Sequence, residues 1–308
     1  MNFQQLRSVR EAVRQSFNLT RVADTLYTSQ PGISRQIREL EEELGIEIFE
    51  RYGKRLTGMT DPGKEILRII ERLLLEADNL RRASEDFAQA EKGTLTIATT
   101  HTQARYSLPN VIMGFRDAYP DVRIALHQTS PNYIAALVSA GEADIGIATE
   151  GLTQFDELVS FPSYSWSHTA VVHSEHPLAS TDDITLKTLA SYPLITYDKG
   201  FTGRGHIDEA FAKVGITPDI VLTAMDSDVI QQYALLGLGV GIVASMAVEQ
   251  APKNGLTIID TSHLFAKNVT RVAVRKGAYL RSYAYDFIHR FAPDIDIGTL
   301  QSTVLGEA

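Results

Sequence analysis

Ser29, Gln30, Ser34, Arg35 and Arg38 crowd hydroxyl, amide and guanidinium groups into one short segment. Arginine can grip guanine through two hydrogen bonds, glutamine can do the same to adenine, and serine reaches bases or phosphates. Downstream, Arg51, Lys54 and Arg55 flank Gly53. They suit phosphate or minor-groove contacts, which orient a domain without carrying much sequence information. Arg35 and Arg38 also suit a solvated helix surface, with Glu39, Glu41, Glu42 and Glu43 beside them as ion-pair partners. A second set of polar groups lies in three stretches: Thr100-His101-Thr102-Gln103, Thr149-Glu150 and Phe201-Thr202-Gly203. Hydroxyls, an amide and backbone N–H groups can surround a small anion, and Gly203 lets the main chain approach closely. From spacing alone, those threonines fit turns and helix caps just as well.

Other arrangements carry less. His173 and His176 lie three apart, but they run from a predicted strand into a loop bounded by Pro177, which suits ordinary loop histidines better than a metal pair. Gly237, Gly239 and Gly241 lead from a helix into a strand, the reverse of a dinucleotide-binding turn, and read as a helix stop and close packing. There is no Gly-x-Ser-x-Gly elbow and no assignable Ser, His and acid set. Cysteine is absent, which excludes disulfides, thiolate metal sites and cysteine nucleophiles.

The elements that must position these groups follow from periodicity. Helices are predicted over Phe3–Gln15 and Leu19–Leu26, and a third from a Ser29 cap to Leu44, with Pro31 early and Gly45 as its stop. Its apolar residues Ile33, Ile37, Leu40 and Leu44 share one face, which leaves Ser34, Arg35 and Arg38 on others. A strand at Ile46–Phe49, a basic turn over Arg51–Arg55 and a return at Leu56–Met59 make a wing. Thr60 or Asp61 caps a long helix continuing to Lys92. Along it Ile66, Ile70, Leu73, Ala77, Leu80, Ser84 and Phe87 alternate in steps of four and three, the seam of a coiled coil that would pair two chains.

Beyond Gly93 the pattern turns to alternating strands and helices, from which a parallel sheet is expected. Two α/β lobes fit this run, with the final strand, Val269–Val274, and helix, Tyr279–Phe291, returning to the first. The predicted units are residues 1–60, 61–92 and 93–308, with lobe I over about 93–163 and 268–308 and lobe II over about 164–267. The three threonine segments then fall at carboxyl ends of strands, where ligands bind in open α/β sheets.

Net charge is −9, yet residues 1–92 carry 15 Lys and Arg against 16 Asp and Glu, whereas 93–308 carry 14 against 22. Acidity sits in the second part, and nucleic-acid contact must use a local patch. The polar N-terminus has no apolar signal core and no stretch is apolar over the roughly 18 residues a membrane span needs, so a cytoplasmic protein without membrane association is expected.

The segment Asn18-Leu19-Thr20-Arg21-Val22-Ala23 through Ser29-Gln30-Pro31-Gly32-Ile33-Ser34-Arg35-Gln36-Ile37-Arg38-Glu39-Leu40-Glu41, with Leu44-Gly45, Ile48-Phe49 and Arg51, resembles the N-terminal signature of LysR-type transcriptional regulators. Ile97–Tyr106, Ile147–Glu150, Gly200–Arg204 and Leu236–Gly241 are similar to the CysB/Cbl-like branch, which controls cysteine biosynthesis and sulfur assimilation. The chain ends sooner after Phe291-Ala292-Pro293 than the CysB pattern. The resemblance implies an all-α winged helix-turn-helix and long dimerisation helix joined to a two-lobed α/β, periplasmic-binding-protein-like effector domain. It implies a double-stranded DNA operator, a homo-oligomer built as a dimer of dimers, contact with RNA polymerase, and no cofactor or metal. It also gives Thr100, Thr102, Gln103, Thr149 and Thr202 as effector-binding, with Gly203 beside them. The implied effectors are O-acetylserine or N-acetylserine, with sulfate, thiosulfate or adenosine phosphosulfate as opposing or alternative ligands. A solute receptor of the same two-lobed fold is the rival reading, but it has no use for residues 1–60. An enzyme would need a nucleophile, metal or cofactor motif.

Overall fold

The computed structural model describes residues 1–88, 91–201, 203–249 and 254–306. It divides into two compact units, Met1–Ser84 and Glu85–Ala308.

The first unit contains helices α1 (Phe3–Arg14), α2 (Leu19–Thr25) and α3 (Gln30–Leu44), strands β1 (Phe49–Tyr52) and β2 (Arg55–Met59), and most of helix α4 (Asp61–Ala88). Leu6, Val9, Val22, Ile33, Ile37, Leu40, Ile48, Phe49 and Ile70 share its buried core. Ser29 caps α3 by accepting the Gly32 N–H at 3.3 Å, and Gly45 ends it at φ 70°, a left-handed conformation that glycine adopts without a Cβ penalty. Thr60 caps α4 through the Gly63 N–H at 2.9 Å.

Three expectations change here. The wing hairpin is tighter than expected: β1 begins only at Phe49, and Arg51 and Arg55 lie within the strands, leaving Gly53 and Lys54 as the turn. Helix α4 is described to Ala88 rather than Lys92; residues 89–90 lie outside the described residues, and Glu91 and Lys92 are not helical. Along the expected seam, Ile70 is buried in its own domain core, whereas Leu73, Leu80 and Phe87 stay exposed.

The second unit holds two five-stranded sheets among the described residues. Its first run is β3 (Gly93–Thr99), α5 (Leu108–Ala118), β4 (Val122–Gln128), α6 (Pro131–Ala140), β5 (Ile145–Ala148) and β6 (Leu158–Trp166). The second is β7 (His168–His173), α7 (Leu186–Leu189), β8 (Leu194–Tyr197), α8 (Arg204–Lys213), β9 (Ile220–Ala224), α9 (Ser227–Leu235), β10 (Val240–Ala244), α10 (Met246–Glu249) and β11 (Leu256–Asp260). The chain closes with β12 (Asn268–Arg275), α11 (Ser282–Phe291) and α12 (Ile297–Leu305). Strand order is β4-β3-β5-β12-β6 in one sheet and β11-β7-β10-β8-β9 in the other. The chain crosses between sheets at Ser167 and returns at Asn268.

The sheets are mixed, not parallel as the alternation predicts. β3, β4 and β5 run parallel, but β12 enters from the other lobe and lies antiparallel to both β5 and β6; β7 is likewise antiparallel to β10 and β11. Strands β6 and β11 and helix α12 escape the sequence reading. β6 carries Pro162 and no buried residue between Leu158 and Trp166, so its pairing with β12, not its own pattern, makes it a strand.

Candidate DNA-reading face and effector cleft

Helix α3 presents its polar residues as its apolar face requires. Ser29, Gln30, Arg35 and Arg38 are exposed while Ile33, Ile37 and Leu40 are buried. Arg35 Nε meets Glu39 Oε1 at 2.6 Å, and that hydrogen bond holds the Glu39 carboxyl below its ordinary range. Arg38 donates to the Ser34 hydroxyl at 3.0 Å. An exposed ion pair of this kind contributes little to stability, so Arg35 is not committed to Glu39. Beside the helix start, a groove of about 550 Å³ is lined by Asn18, Thr20, Gln30, Lys54 and Arg55. Asn18 caps α2 through the Thr20 and Arg21 N–H groups, so a helix N-terminus, the first α3 side chain and the wing border one surface.

Arg51 differs from its neighbours on the wing. Its guanidinium binds Glu41 Oε2 at 2.5 Å, while Glu41 Oε1 accepts the Ile48 and Phe49 N–H groups at 2.9 and 3.1 Å. Glu41 is 8% exposed and ties α3 to the wing. Arg51 therefore braces the wing through its half-buried guanidinium side chain, while Lys54 and Arg55 beside it are exposed. The sequence hides Glu41 in an acidic run; its spacing from the wing carries no signal.

In the second unit Thr100 follows β3 and Thr149 follows β5, two adjacent parallel strands. Thr100, Thr102, Gln103 and Thr149 are therefore gathered at one sheet end, and all are buried. Gln103 opens a π-helical turn, Gln103–Ser107, and donates to the Thr270 hydroxyl at 3.1 Å while Tyr164 donates to its carbonyl oxygen. Trp166 Nε1 reaches the same Thr270 hydroxyl at 3.1 Å. From the other lobe, Gly203 sits at φ 69° against Asn268, two residues before Thr270; a Cβ there would lie 2.0 Å from Asn268 Oδ1. Thr202 lies outside the described residues. The start of β12 is thus where Gly203 and the Gln103 network meet.

Among the described residues, Thr102 Oγ1, Thr196 Oγ1, Asn268 Oδ1 and His101 Nδ1 are sealed from solvent with no hydrogen-bond partner. Buried polar atoms cost free energy unless paired, and such sites mark binding or strain. Burial pushes the Tyr197 phenol up to about 12, and it stays protonated between Ser227 Oγ at 2.6 Å and the Ala244 N–H at 2.9 Å. Tyr164, Trp166, Thr196, Asn268 and Thr270 were not legible as site residues, because tertiary pairing alone brings them there.

Two family models match: "LysR substrate binding domain" over residues 88–294 and "Bacterial regulatory helix-turn-helix protein, lysR family" over residues 3–64. The chain is 56% identical to the HTH-type transcriptional regulator SsuR of Burkholderia cenocepacia over 96% of each protein. It is 51% identical to CysB of the same organism, covering all of this chain and 98% of that one. To the regulator cbl of Escherichia coli it is 50% identical over 99% and 96%. The solved cofactor-binding domain of the Cbl transcriptional regulator superposes with TM-score 0.68 at 45% identity, covering 70% of this chain and 94% of that one. This chain belongs to the LysR family.

As a LysR-family member it is a DNA-binding transcriptional regulator and not an enzyme. The α3 face and the wing lie within the helix-turn-helix match, and the β12-centred cluster lies within the substrate-binding-domain match. The other motifs resolve as local structure. His173 and His176 each accept a loop N–H through Nδ1, from Glu175 and Leu178. Gly237 ends α9 at φ 77°, and Gly239 packs against the Pro193 carbonyl, where a Cβ would lie 2.3 Å away. No described helix is long and apolar enough to cross a membrane.

Proposed function

We propose that this regulator activates genes of sulfur assimilation, cysteine biosynthesis or sulfonate use in response to a small sulfur-metabolism ligand held between its lobes. The observation that carries the reading is the Thr102 hydroxyl, wholly buried and unpartnered among Thr100, Gln103 and Thr149. Such a neutral donor set suits a carboxylate or a tetrahedral oxyanion. Identities of 50–56% to SsuR, CysB and cbl support the sulfur assignment. O-acetylserine and N-acetylserine fit as inducers, and sulfate, thiosulfate or adenosine phosphosulfate as opposing ligands.

Ligand binding would shift lobe closure by its differential affinity for two arrangements, and so reset the spacing of DNA-binding heads on a two-fold operator. The exposed α4 residues Leu73, Leu80 and Phe87 supply the stripe for chain pairing, with a dimer of dimers completed by sensor contacts. Contact with RNA polymerase, in the cytoplasm, completes the activator role. Calorimetric titration of the full chain with each of the five ligands tests the reading. Saturable binding by one, lost in Thr102→Trp, supports it; no binding by any removes the sulfur reading and leaves the DNA-binding role standing.

A further inference from the structure

His101 follows Thr100 at the carboxyl end of β3, while Asp226 and Asp228 stand at the start of α9 in the other lobe. One ligand atom from each lies within 4.8 Å of the other two, and all three residues are half-buried. Each carboxylate is already oriented. Asp226 Oδ1 accepts the Val229 N–H at 2.9 Å as the cap of α9, and Asp228 Oδ2 meets Arg105 Nε at 2.8 Å. Arg105 offsets one of the two carboxylate charges. The His101 Nδ1 atom, by contrast, is sealed from solvent without a hydrogen-bond partner.

We propose that His101, Asp226 and Asp228 form a binding site for a divalent transition-metal ion of the zinc type, joining the two lobes. An imidazole in the set favours such ions over magnesium or calcium, which take oxygen ligands throughout. Three protein ligands leave a fourth position for water or an incoming oxygen ligand. The Val229 N–H and the Arg105 guanidinium do what outer contacts do at metal sites, fixing the ligating carboxylates in place. An ion bound there has one ligand on β3's lobe and two on α9's, so it stabilises the arrangement in which the lobes meet. Asp226 and Asp228 lie outside the effector set that His101 adjoins, and the site does not depend on the effector reading.

The test is calorimetric titration of chelator-treated full chain with zinc chloride and, separately, magnesium chloride. The expected result is one saturable equivalent of zinc per chain and no response to magnesium. His101→Gln and Asp226→Asn should each weaken zinc binding by about tenfold or more. Asparagine caps helices as well as aspartate, so α9 remains capped in the second variant. Trp166 fluorescence through urea unfolding without metal verifies that both variants fold. Zinc uptake unchanged in both variants, or no stoichiometric uptake by the unaltered chain, overturns the proposal.

Discussion

Arg35 and Gln103 are both polar residues within the first turns of helical segments, yet the Arg35 side chain is 81% exposed and Gln103 is 1% exposed. Arg35 has one partner four residues away, in an exposed ion pair. Gln103 is held by Tyr164 and by Thr270, 167 residues on, in a cluster whose neighbour Thr102 lacks any partner. The DNA-reading end is rigid beneath and exchangeable at its surface. The sensor end is tightly paired around a few buried atoms left unpaired. One presents solvated groups whose partners exchange readily; the other holds desolvated groups, and unpaired buried groups of this kind make binding selective wherever a ligand satisfies them.

Variants confined to each region can break that contrast, and Trp166, the sole tryptophan, reports on the sensor unit alone. The largest effect is expected for Glu41→Ala, which strands the Ile48 and Phe49 N–H groups and the Arg51 guanidinium. Losing about 3 kcal/mol from the DNA-binding unit is the expectation. In urea, far-ultraviolet circular dichroism should show early loss of helix while the Trp166 transition stays put. A common shift of both signals would mean that the units unfold together.

Gly203→Ala comes next. It forces a side chain into a left-handed backbone and toward Asn268 Oδ1, at an expected cost of about 2 kcal/mol. Here the Trp166 transition should move and operator affinity without effector should not. An unmoved transition would show that the Gly203 approach to Asn268 is slack.

The smallest effects belong to the exposed face. Arg35→Ala should cost roughly 1–2 kcal/mol on the specific operator and less on random DNA, whereas Lys54→Ala should weaken both alike and lower the salt dependence by about one phosphate contact. Fluorescence anisotropy at several salt concentrations separates them. Equal losses from both sequences would recast Arg35 as a phosphate contact.

Much of the first unit was legible because its signals are local. The Ser29 cap, Pro31, the apolar spacing of Ile33, Ile37 and Leu40 and the Gly45 stop all act within α3 itself. The strand ends bearing Thr100 and Thr149 were legible in the same way, from runs of buried residues in β3 and β5. Ile70 was misassigned to the pairing stripe because a helical period says which residues share a face, not what covers it. Pro162 concealed β6, since only the ladder to β12 reveals that a proline there is tolerated.

By itself, then, the sequence determined the order of elements, the caps and stops, the exposed cations of the DNA-reading end and the strand-end threonines, all properties that propagate over a few residues. Only the tertiary structure decided that Glu41 is a brace, that β12 runs antiparallel between β5 and β6, and that Gly203 and the Gln103 network meet at its start. Those outcomes depend on which distant segments exclude water from one another, and chain spacing does not encode that.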